Sequence, residues 1–406
     1  MNQFSFEILV KDKHSKARAG IIHTAHGKIE TPYLIPVATR ARIEALSKED
    51  LKKLKIQALL ANTYHLHFQP GEKKIKKSGG LRGYMRFNKP FFTDSGGFQA
   101  MSLGDTMSDG FSKLGKNHEK VRDKKESFIK ITNKGVFFKS IYDKKWSFLD
   151  AKKSMQIQSD LGADAIMSFD ECTAANKSYN YQKEALERTK KWAILSLKHH
   201  DKKQALYGIV QGGQFKKLRL ESTKFISKLP FDGIAIGGSF GKSYGDSKKA
   251  MHQILDWIMK ELEKNQESYN KPRHMLGIGW IDDLFECVER GIDTFDCVEM
   301  TRIARHGNVF ITPRGGGNLK NKFRTNIRES DATKKPIDPT CSCHTCRHHT
   351  KADLYRLKLQ FKDGNKEFGR LATIHNIHFM LNLCAQIRKS IKNGTFQKLK
   401  KQWLNK

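Results

Sequence analysis

Three aspartates, Asp94, Asp170 and Asp296, each close a short apolar run, in PFFTD, AIMSFD and TFDCV. Carboxylates gathered at strand ends suit a reaction in which one group must be ionised and another must hold a proton. Gln211 ends a fourth run, LYGIVQ, and Gly237-Gly238 a fifth, GIAIGG. A side-chain amide beside exposed backbone offers the mixed donors and acceptors that read a planar heterocycle. A single strand-end aspartate is most simply a helix cap. That explanation weakens for three of them beside the turns Gly96-Gly97 and Gly212-Gly213.

A different chemistry resides in Cys341-Ser-Cys343-His-Thr-Cys346. Three soft thiolates suit zinc, which needs a fourth ligand to close its tetrahedron and is then structural. His375, in Thr-Ile-His-Asn at the start of a helix, is one candidate; His344, His348 and His349 are local rivals. A redox pair at Cys343 and Cys346 is the alternative, but the surrounding pattern is not the strand–helix–strand context of such motifs. The seven cysteines are odd in number, and the start MNQFSFEILVKDK lacks a basic-then-apolar leader, so no disulfide framework is expected. The expected location is the cytoplasm.

Positioning these groups requires a scaffold, and its pattern is visible. Eight short apolar runs recur: Tyr33–Thr39, Ala58–Thr63, Pro90–Asp94, Ala165–Asp170, Leu206–Gln211, Gly233–Gly238, His274–Ile278 and Thr294–Val298. Near-continuous hydrophobicity over so few residues suits parallel strands buried on both faces. Helical patterns lie between most of them, one opened by Ser47 as N-cap, another running from Asp150 to Leu161, and others within 183–199, 216–229, 248–264 and 282–290. Eight strand–helix alternations predict a parallel (β/α) barrel, with an open doubly wound sheet as the rival. In a barrel, the run-ending residues share one rim.

Two regions break the rhythm. Residues 103–146 are long and basic, with a predicted hairpin of Phe128–Ile131 and Val136–Lys139 around Asn133-Lys-Gly135. From Arg314 onward come Gly315-Gly-Gly317, read as a flexible connection, and the cysteine cluster. The expected division is therefore a barrel portion over 1–313, a metal-binding subdomain over 314–375 and a basic helical segment over 376–406. Gly241-Lys242-Ser243 is not a phosphate loop, because Ile236 stands where the earlier glycine is required.

The chain has 406 residues, with 75 Lys and Arg against 42 Asp and Glu, a formal charge of +33. Such an excess disfavours cationic partners and points to a polyanion, the plainer alternative being a generally lysine-rich composition. Hydrophobic residues at 38 %, including 25 Phe, supply a core. No apolar stretch approaches the roughly 20 residues that span a bilayer, so no membrane partner is expected.

Taken in order, Asp94-Ser-Gly-Gly-Phe-Gln99, Phe169-Asp-Glu-Cys-Thr173, Gly208-Ile-Val-Gln-Gly-Gly213, Ala235-Ile-Gly-Gly238, Gly291-Ile-Asp-Thr-Phe-Asp-Cys-Val298 and the stretch from Cys341 through Thr373-Ile-His-Asn376 resemble the tRNA-guanine transglycosylases of bacterial type. The resemblance runs through nearly the whole chain. It implies an irregular (β/α)8 TIM barrel with an inserted zinc-binding subdomain, and exchange of guanine for a 7-deazaguanine at the wobble position of tRNAs with GUN anticodons. It implies Asp296 as nucleophile and Asp94 as general acid/base. Asp170, Gln211, Gly238 and Ser95 would bind the base, with Phe98 stacked on one side and Leu276 on the other. Thr301, Arg302 and Arg305 would contact the anticodon loop. Cys341, Cys343, Cys346 and His375 would hold one structural Zn2+, and the enzyme would work as a homodimer. The alternative is a non-catalytic tRNA-binding paralogue, or a transglycosylase acting on another nucleic acid.

The chain departs from the family at Ser239-Phe-Gly-Lys242, where bacterial enzymes carry a segment one residue longer that ends in Glu. A lysine there would repel the aminomethyl group of the prequeuosine base by about 1 kcal/mol, favouring queuine, unless its side chain turns to solvent. A second departure is Glu299-Met300, where an apolar residue and Pro are usual.

Overall fold

The eight apolar runs are the strands of one parallel ring in a computed structural model that describes residues 3–106, 128–238, 240, 244–329, 333–360 and 363–404. Three antiparallel strands come first, β1 (Ser5–Lys11), β2 (Arg18–Thr24) and β3 (Gly27–Thr31). The ring begins with β4 (Tyr33–Pro36), β5 (Leu59–Ala61) and β6 (Phe91–Thr93). A small antiparallel sheet interrupts it, made of β7 (Ile129–Ile131), β8 (Val136–Lys139) and β9 (Trp146–Leu149). The ring resumes with β10 (Ala165–Met167), β11 (Ala205–Val210), β12 (Gly233–Ile236), β13 (Arg273–Met275) and β14 (Thr294–Cys297). A hairpin of β15 (Asn308–Phe310) and β16 (Arg324–Asn326) follows.

The ring order is β4-β14-β13-β12-β11-β10-β6-β5, every pair parallel. A parallel bridge between Val37 and Leu60, with the Ala38 N–H donating to the Leu60 carbonyl at 2.7 Å, joins the two edge strands. The expected (β/α)8-type barrel is thus formed. Because side chains alternate along a strand, Ile35, Phe92, Met167, Tyr207 and Ile209 fill the lumen. Their neighbours Leu34, Phe91, Ile166, Leu206 and Val210 pack outward under the helices. This two-sided burial is why the strands read as continuous apolar runs.

The helices start and stop where local chemistry directs. Ser47 and Asp50 form a reciprocal capping box, and Asp150 accepts from the Lys153 N–H at 2.7 Å before Ala151–Leu161 ends at left-handed Gly162. Tyr179–His199, Lys216–Ser227, Tyr244–Leu262 and Ile281–Glu289 match the remaining helical patterns.

The β1–β3 sheet was not anticipated from the sequence. Phe4, Phe6, Ile22 and Ile29 join the lumen cluster and stopper the mouth where the ring strands begin. Fully buried Asp293, just before β14, accepts from Arg18 Nε at 2.8 Å and Nη2 at 2.6 Å. Breaking a buried pair of this kind costs about 3–5 kcal/mol. The run-ending residues lie at the opposite end, on the rim at the strand C-termini.

After β14, Glu299–Arg305 leads through the β15–β16 hairpin and the cysteine cluster to one 30-residue helix, Asp363–Lys392. It packs on β4 and on Glu299–Arg305, as the last barrel helix should; the division expected between residues 375 and 376 falls within it. Gly315–Gly317 is not the flexible connection expected of it. The Gly317 N–H donates to the Thr312 carbonyl at 2.9 Å, and a Cβ on Gly315 would lie 2.7 Å from Asp338 Oδ2. Here glycine serves close approach of backbone in a tight turn.

Candidate active site and metal centre

Six consecutive ring strands deliver the expected groups to this rim. Asp94 follows β6, Asp170 follows β10, Gln211 follows β11, Gly237-Gly238 follows β12, Leu276 follows β13, and Asp296 lies in β14. Asp94 is gripped from three sides. Its Oδ2 accepts from Asn62 Nδ2 at 2.5 Å and Gln99 Nε2 at 2.8 Å, and its Oδ1 from the Thr63 N–H at 2.8 Å. Burial nevertheless pushes its carboxyl above the ordinary range, and the negative charge of nearby Asp296 adds to the shift.

Asp296 is 15 % exposed, and its Oδ1 accepts from the Gly277 N–H at 2.8 Å. The same oxygen lies 3.1 Å from His274 Nε2, whose ring Nδ1 is 2.9 Å from Thr294 Oγ1. A consistent network has Nε2–H donating to the carboxylate and the Thr294 hydroxyl donating to Nδ1. His274 is fully buried and stacks on Phe92 at 5.9 Å. It lies inside the run His274–Ile278, where a buried imidazole in a strand reads as core.

The groups expected to read the base form a second network. Asp170 Oδ2 accepts from Gln211 Nε2 at 2.6 Å, and Oδ1 from Ser95 Oγ at 3.2 Å. Gln211 Oε1 is buried without a hydrogen-bond partner, an acceptor left for a ligand donor. Gly238 has φ +113°, and a Cβ there would lie 3.1 Å from that oxygen and 2.7 Å from Arg219 Nη2. Arg219 is a residue the motifs did not reveal. It is fully buried and donates to the carbonyls of Val210, Gly213 and Gly237 at 3.0, 2.8 and 2.9 Å, tying both Gly-Gly turns together. Burial pulls its guanidinium down to about 10. Nothing in a lone helical arginine distinguishes it beforehand.

Phe98, in the first turn of Gly97–Thr106, and Leu276 are both half-buried, and their strands β6 and β13 stand opposite each other in the ring. Glu171, beside Asp170, turns away and forms a buried ion pair with Arg188 at 2.6 Å. Arg302 and Arg305 are exposed on the helix after the β14 strand, whereas Thr301 is buried with its hydroxyl donating to the Val298 carbonyl at 3.0 Å. Lys242 lies outside the described residues.

The four metal-ligand candidates converge. Sγ of Cys341, Cys343 and Cys346 lie 3.7, 3.5 and 3.3 Å from His375 Nδ1, and all four ligand atoms fall within 4.8 Å of one another. Tetrahedral zinc would set its sulfur–nitrogen edges at about 3.5 Å, so the donor set fits. His375 Nε2 donates to the Phe310 carbonyl at 2.7 Å, fixing the ring with Nδ1 towards the thiolates. His344, His348 and His349 stay outside this cluster. The adjacent Asn376 accepts from the Phe310 N–H at 2.9 Å and donates to Met300 and Asn308 carbonyls at 3.0 and 3.1 Å. The metal centre is thereby linked to the helix carrying Arg302 and Arg305.

A parallel barrel with strand-end carboxylates at its rim and a converging Cys3His set defines a class of barrel enzyme with a subdomain able to hold a metal ion. The sequence comparisons make the family specific. A model of the queuine tRNA-ribosyltransferase family matches residues 12–406. A relative from Archaeoglobus fulgidus is 43 % identical over 97 % of this chain and 98 % of its own. Queuine tRNA-ribosyltransferases of Roseiflexus sp. and Macrococcus caseolyticus are 38 % and 40 % identical, over 98 % and 99 % of this chain and 99 % and 96 % of theirs. The chain belongs to the queuine tRNA-ribosyltransferase family, the tRNA-guanine transglycosylases of queuosine modification. No helix among the described residues is long and apolar enough to cross a membrane.

Proposed function

We propose that Asp296 attacks the ribose anomeric carbon of the wobble guanosine in tRNAs with GUN anticodons. The C1′–N9 bond breaks as the bond from C1′ to the carboxylate oxygen forms, the electron pair leaves with guanine, and Asp94 supplies the proton that guanine takes up. A 7-deazaguanine then enters, Asp94 accepts its N9 proton, and N9 displaces Asp296 from C1′. Asp170, Gln211, Ser95 and the Gly238 backbone hold the base edge, with Phe98 and Leu276 on its two faces. Thr301, Arg302 and Arg305 seat the anticodon loop, the arginines through phosphates. Zinc occupies the Cys341, Cys343, Cys346 and His375 set as a structural ion. The enzyme is a cytoplasmic homodimer, and Lys242 biases it towards queuine over the aminomethyl base.

One observation carries this reading. Asp94 and Asp296 share a rim with a buried Gln211 amide whose oxygen has no partner. Asp94, with its carboxyl raised, is suited to hand a proton back and forth, while Asp296 Oδ1 is held in place by the Gly277 N–H and lies 3.1 Å from His274 Nε2. The deciding experiment is exchange of labelled guanine into unmodified GUN tRNA by the zinc-loaded enzyme and by Asp296→Ala, with queuine and the prequeuosine base as competitors. Exchange should fall by at least roughly 10⁴-fold in the variant, and a covalent tRNA adduct should form only in wild type. An active variant would remove Asp296 as nucleophile; stronger competition by the aminomethyl base would overturn the bias towards queuine.

A further inference from the structure

The β7–β9 sheet has two unlike faces. Inward, Val136, Phe138 and Leu149 are buried. The Phe138 ring lies 5.5 Å from Tyr64 and 6.1 Å from Phe68. Those rings belong to the helix Thr63–Phe68, whose first N–H holds Asp94. The sheet therefore stands beside the rim, one helix away from the acid/base carboxylate.

Outward, the register sets two rows across the sheet. One row is Lys130, Phe137 and Phe148; the next is Phe128, Lys139 and Trp146. Trp146 is 57 % exposed and Phe137 41 %, unusual for such large apolar side chains. Phe137 and Phe148 lie 4.4 Å apart, and the Lys139 ammonium sits 5.0 Å from the Phe128 ring. Over residues 128–149 there are five lysines, Lys130, Lys134, Lys139, Lys144 and Lys145, against the single acid Asp143.

We propose that this outer face is a stacking platform for unpaired nucleotides of the tRNA substrate, outside the wobble pocket. Interleaved rings and ammonium groups are the chemistry that holds single-stranded nucleic acid, the rings by stacking on base faces and the cations by phosphate contacts. A second copy of the chain is disfavoured as the occupant, because a twofold pairing of this face would bring Lys130 and Lys139, with the lysines of the adjoining turns, towards the same cations of the other copy. The inference rests on the reading that the substrate is tRNA, and adds a contact surface that the wobble-base chemistry does not require.

The test uses the zinc-loaded full chain and measures equilibrium binding of unmodified GUN tRNA as a function of salt, with oligomeric state by sedimentation. Phe137→Ala/Trp146→Ala should weaken binding by about tenfold or more, with the salt slope unchanged. Phe137→Tyr/Trp146→Phe should restore it, since either ring still stacks. Lys130→Ala/Lys139→Ala should instead flatten the slope by about 1 to 2. Turnover at saturating tRNA should stay at the wild-type value in all three. Wild-type affinity in the alanine variant, or a change in oligomeric state in place of affinity, overturns the platform and leaves the proposed function standing. Failure of the wild-type chain to bind tRNA at all would overturn both.

Discussion

The barrel rim and the Cys3His subdomain are both assembled from residues far apart in the chain, but they are held in place by different means. At the rim, the strand-end carboxylates are oriented by the protein's own donors: Asn62, Thr63 and Gln99 on Asp94, Gln211 and Ser95 on Asp170, His274 and Gly277 on Asp296. Beneath them lies a large lumen and helix core. In the subdomain, three thiolates and one imidazole crowd around a point, and the supporting apolar cluster is small, built on residues such as Val309, Ile337, Leu354 and Phe368. Three cysteines packed this closely are costly without a cation between them. The rim is preorganised without a ligand, whereas the subdomain is expected to depend on an ion in that set for stability.

The sharpest way to break this contrast is to withdraw the metal. Structural zinc binding is worth on the order of 10 kcal/mol in small domains. Chelation, or Cys346→Ala, is therefore expected to unfold the segment around 333–360 and to lower the melting temperature by about 10 °C or more. Through Asn376 and its contacts to Met300 and Asn308, tRNA affinity should fall with it. Hydrogen exchange should localise the loss to the subdomain, with the ring strands still protected. Uniform loss of protection would show that the two regions are one cooperative unit and sink the comparison.

A second prediction attacks the rim's self-sufficiency. Arg219→Met deletes the donors to three buried carbonyls; that of Val210 still accepts from the Gly237 N–H at 3.1 Å, while those of Gly213 and Gly237 are orphaned at about 1–3 kcal/mol each. Relief of a buried unpaired charge offsets part of that. We expect a net destabilisation of about 2–3 kcal/mol, read by urea melts, and a KM for the base raised more than kcat falls. Unchanged base affinity in a folded variant would mean that the Gly-Gly turns hold their shape without it.

His274→Phe is a milder probe. The ring should keep its stacking on Phe92 while losing the donor to Asp296 and the acceptor for Thr294. Turnover should drop by about 10- to 100-fold with KM for tRNA nearly unchanged, and His274→Gln should recover part of it. An equal loss in both variants, accompanied by lowered stability, would assign His274 to packing alone.

The rim was far more legible in the sequence than its supports. Eight apolar runs mark the ring because parallel strands buried on both faces cannot hide their composition, and Asp94, Asp170, Gln211 and Asp296 stand at their ends. Cys341, Cys343 and Cys346 announce a metal by spacing, but the choice of His375 over His344, His348 or His349 needed either a family resemblance or the fold. What stayed hidden depends on distant pairing. Arg18 meets Asp293 across 275 residues of chain, so the β1–β3 stopper has no local pattern to betray it. His274 was legible only as part of an apolar run because it is core, with one nitrogen turned to Asp296. Gly315–Gly317 misled for the opposite reason: glycine permits both looseness and the closest packing, and composition alone does not distinguish them.

The finest test concerns a single hydrogen bond. Burial and the charge of Asp296 raise the Asp94 carboxyl, and the donors from Asn62, Thr63 and Gln99 oppose that rise. Gln99→Met removes one opposing donor, so the carboxyl should move further up. In the proposed mechanism Asp94 must be ionised to accept the proton of the incoming base, and the ionised fraction falls as pH drops through its raised value. The acid limb of kcat/KM for the incoming base should therefore begin at higher pH in the variant, with the plateau close to wild type. Folding stability carries the same sign. A carboxyl raised in the folded state binds its proton more tightly there than in the unfolded chain, so stability falls as pH rises from the ordinary carboxylate range through the raised value. That decline should extend to higher pH in Gln99→Met. An acid limb that stays in place while stability shifts would mean another group governs it; a limb that moves to lower pH would contradict the electrostatic account of Asp94 altogether.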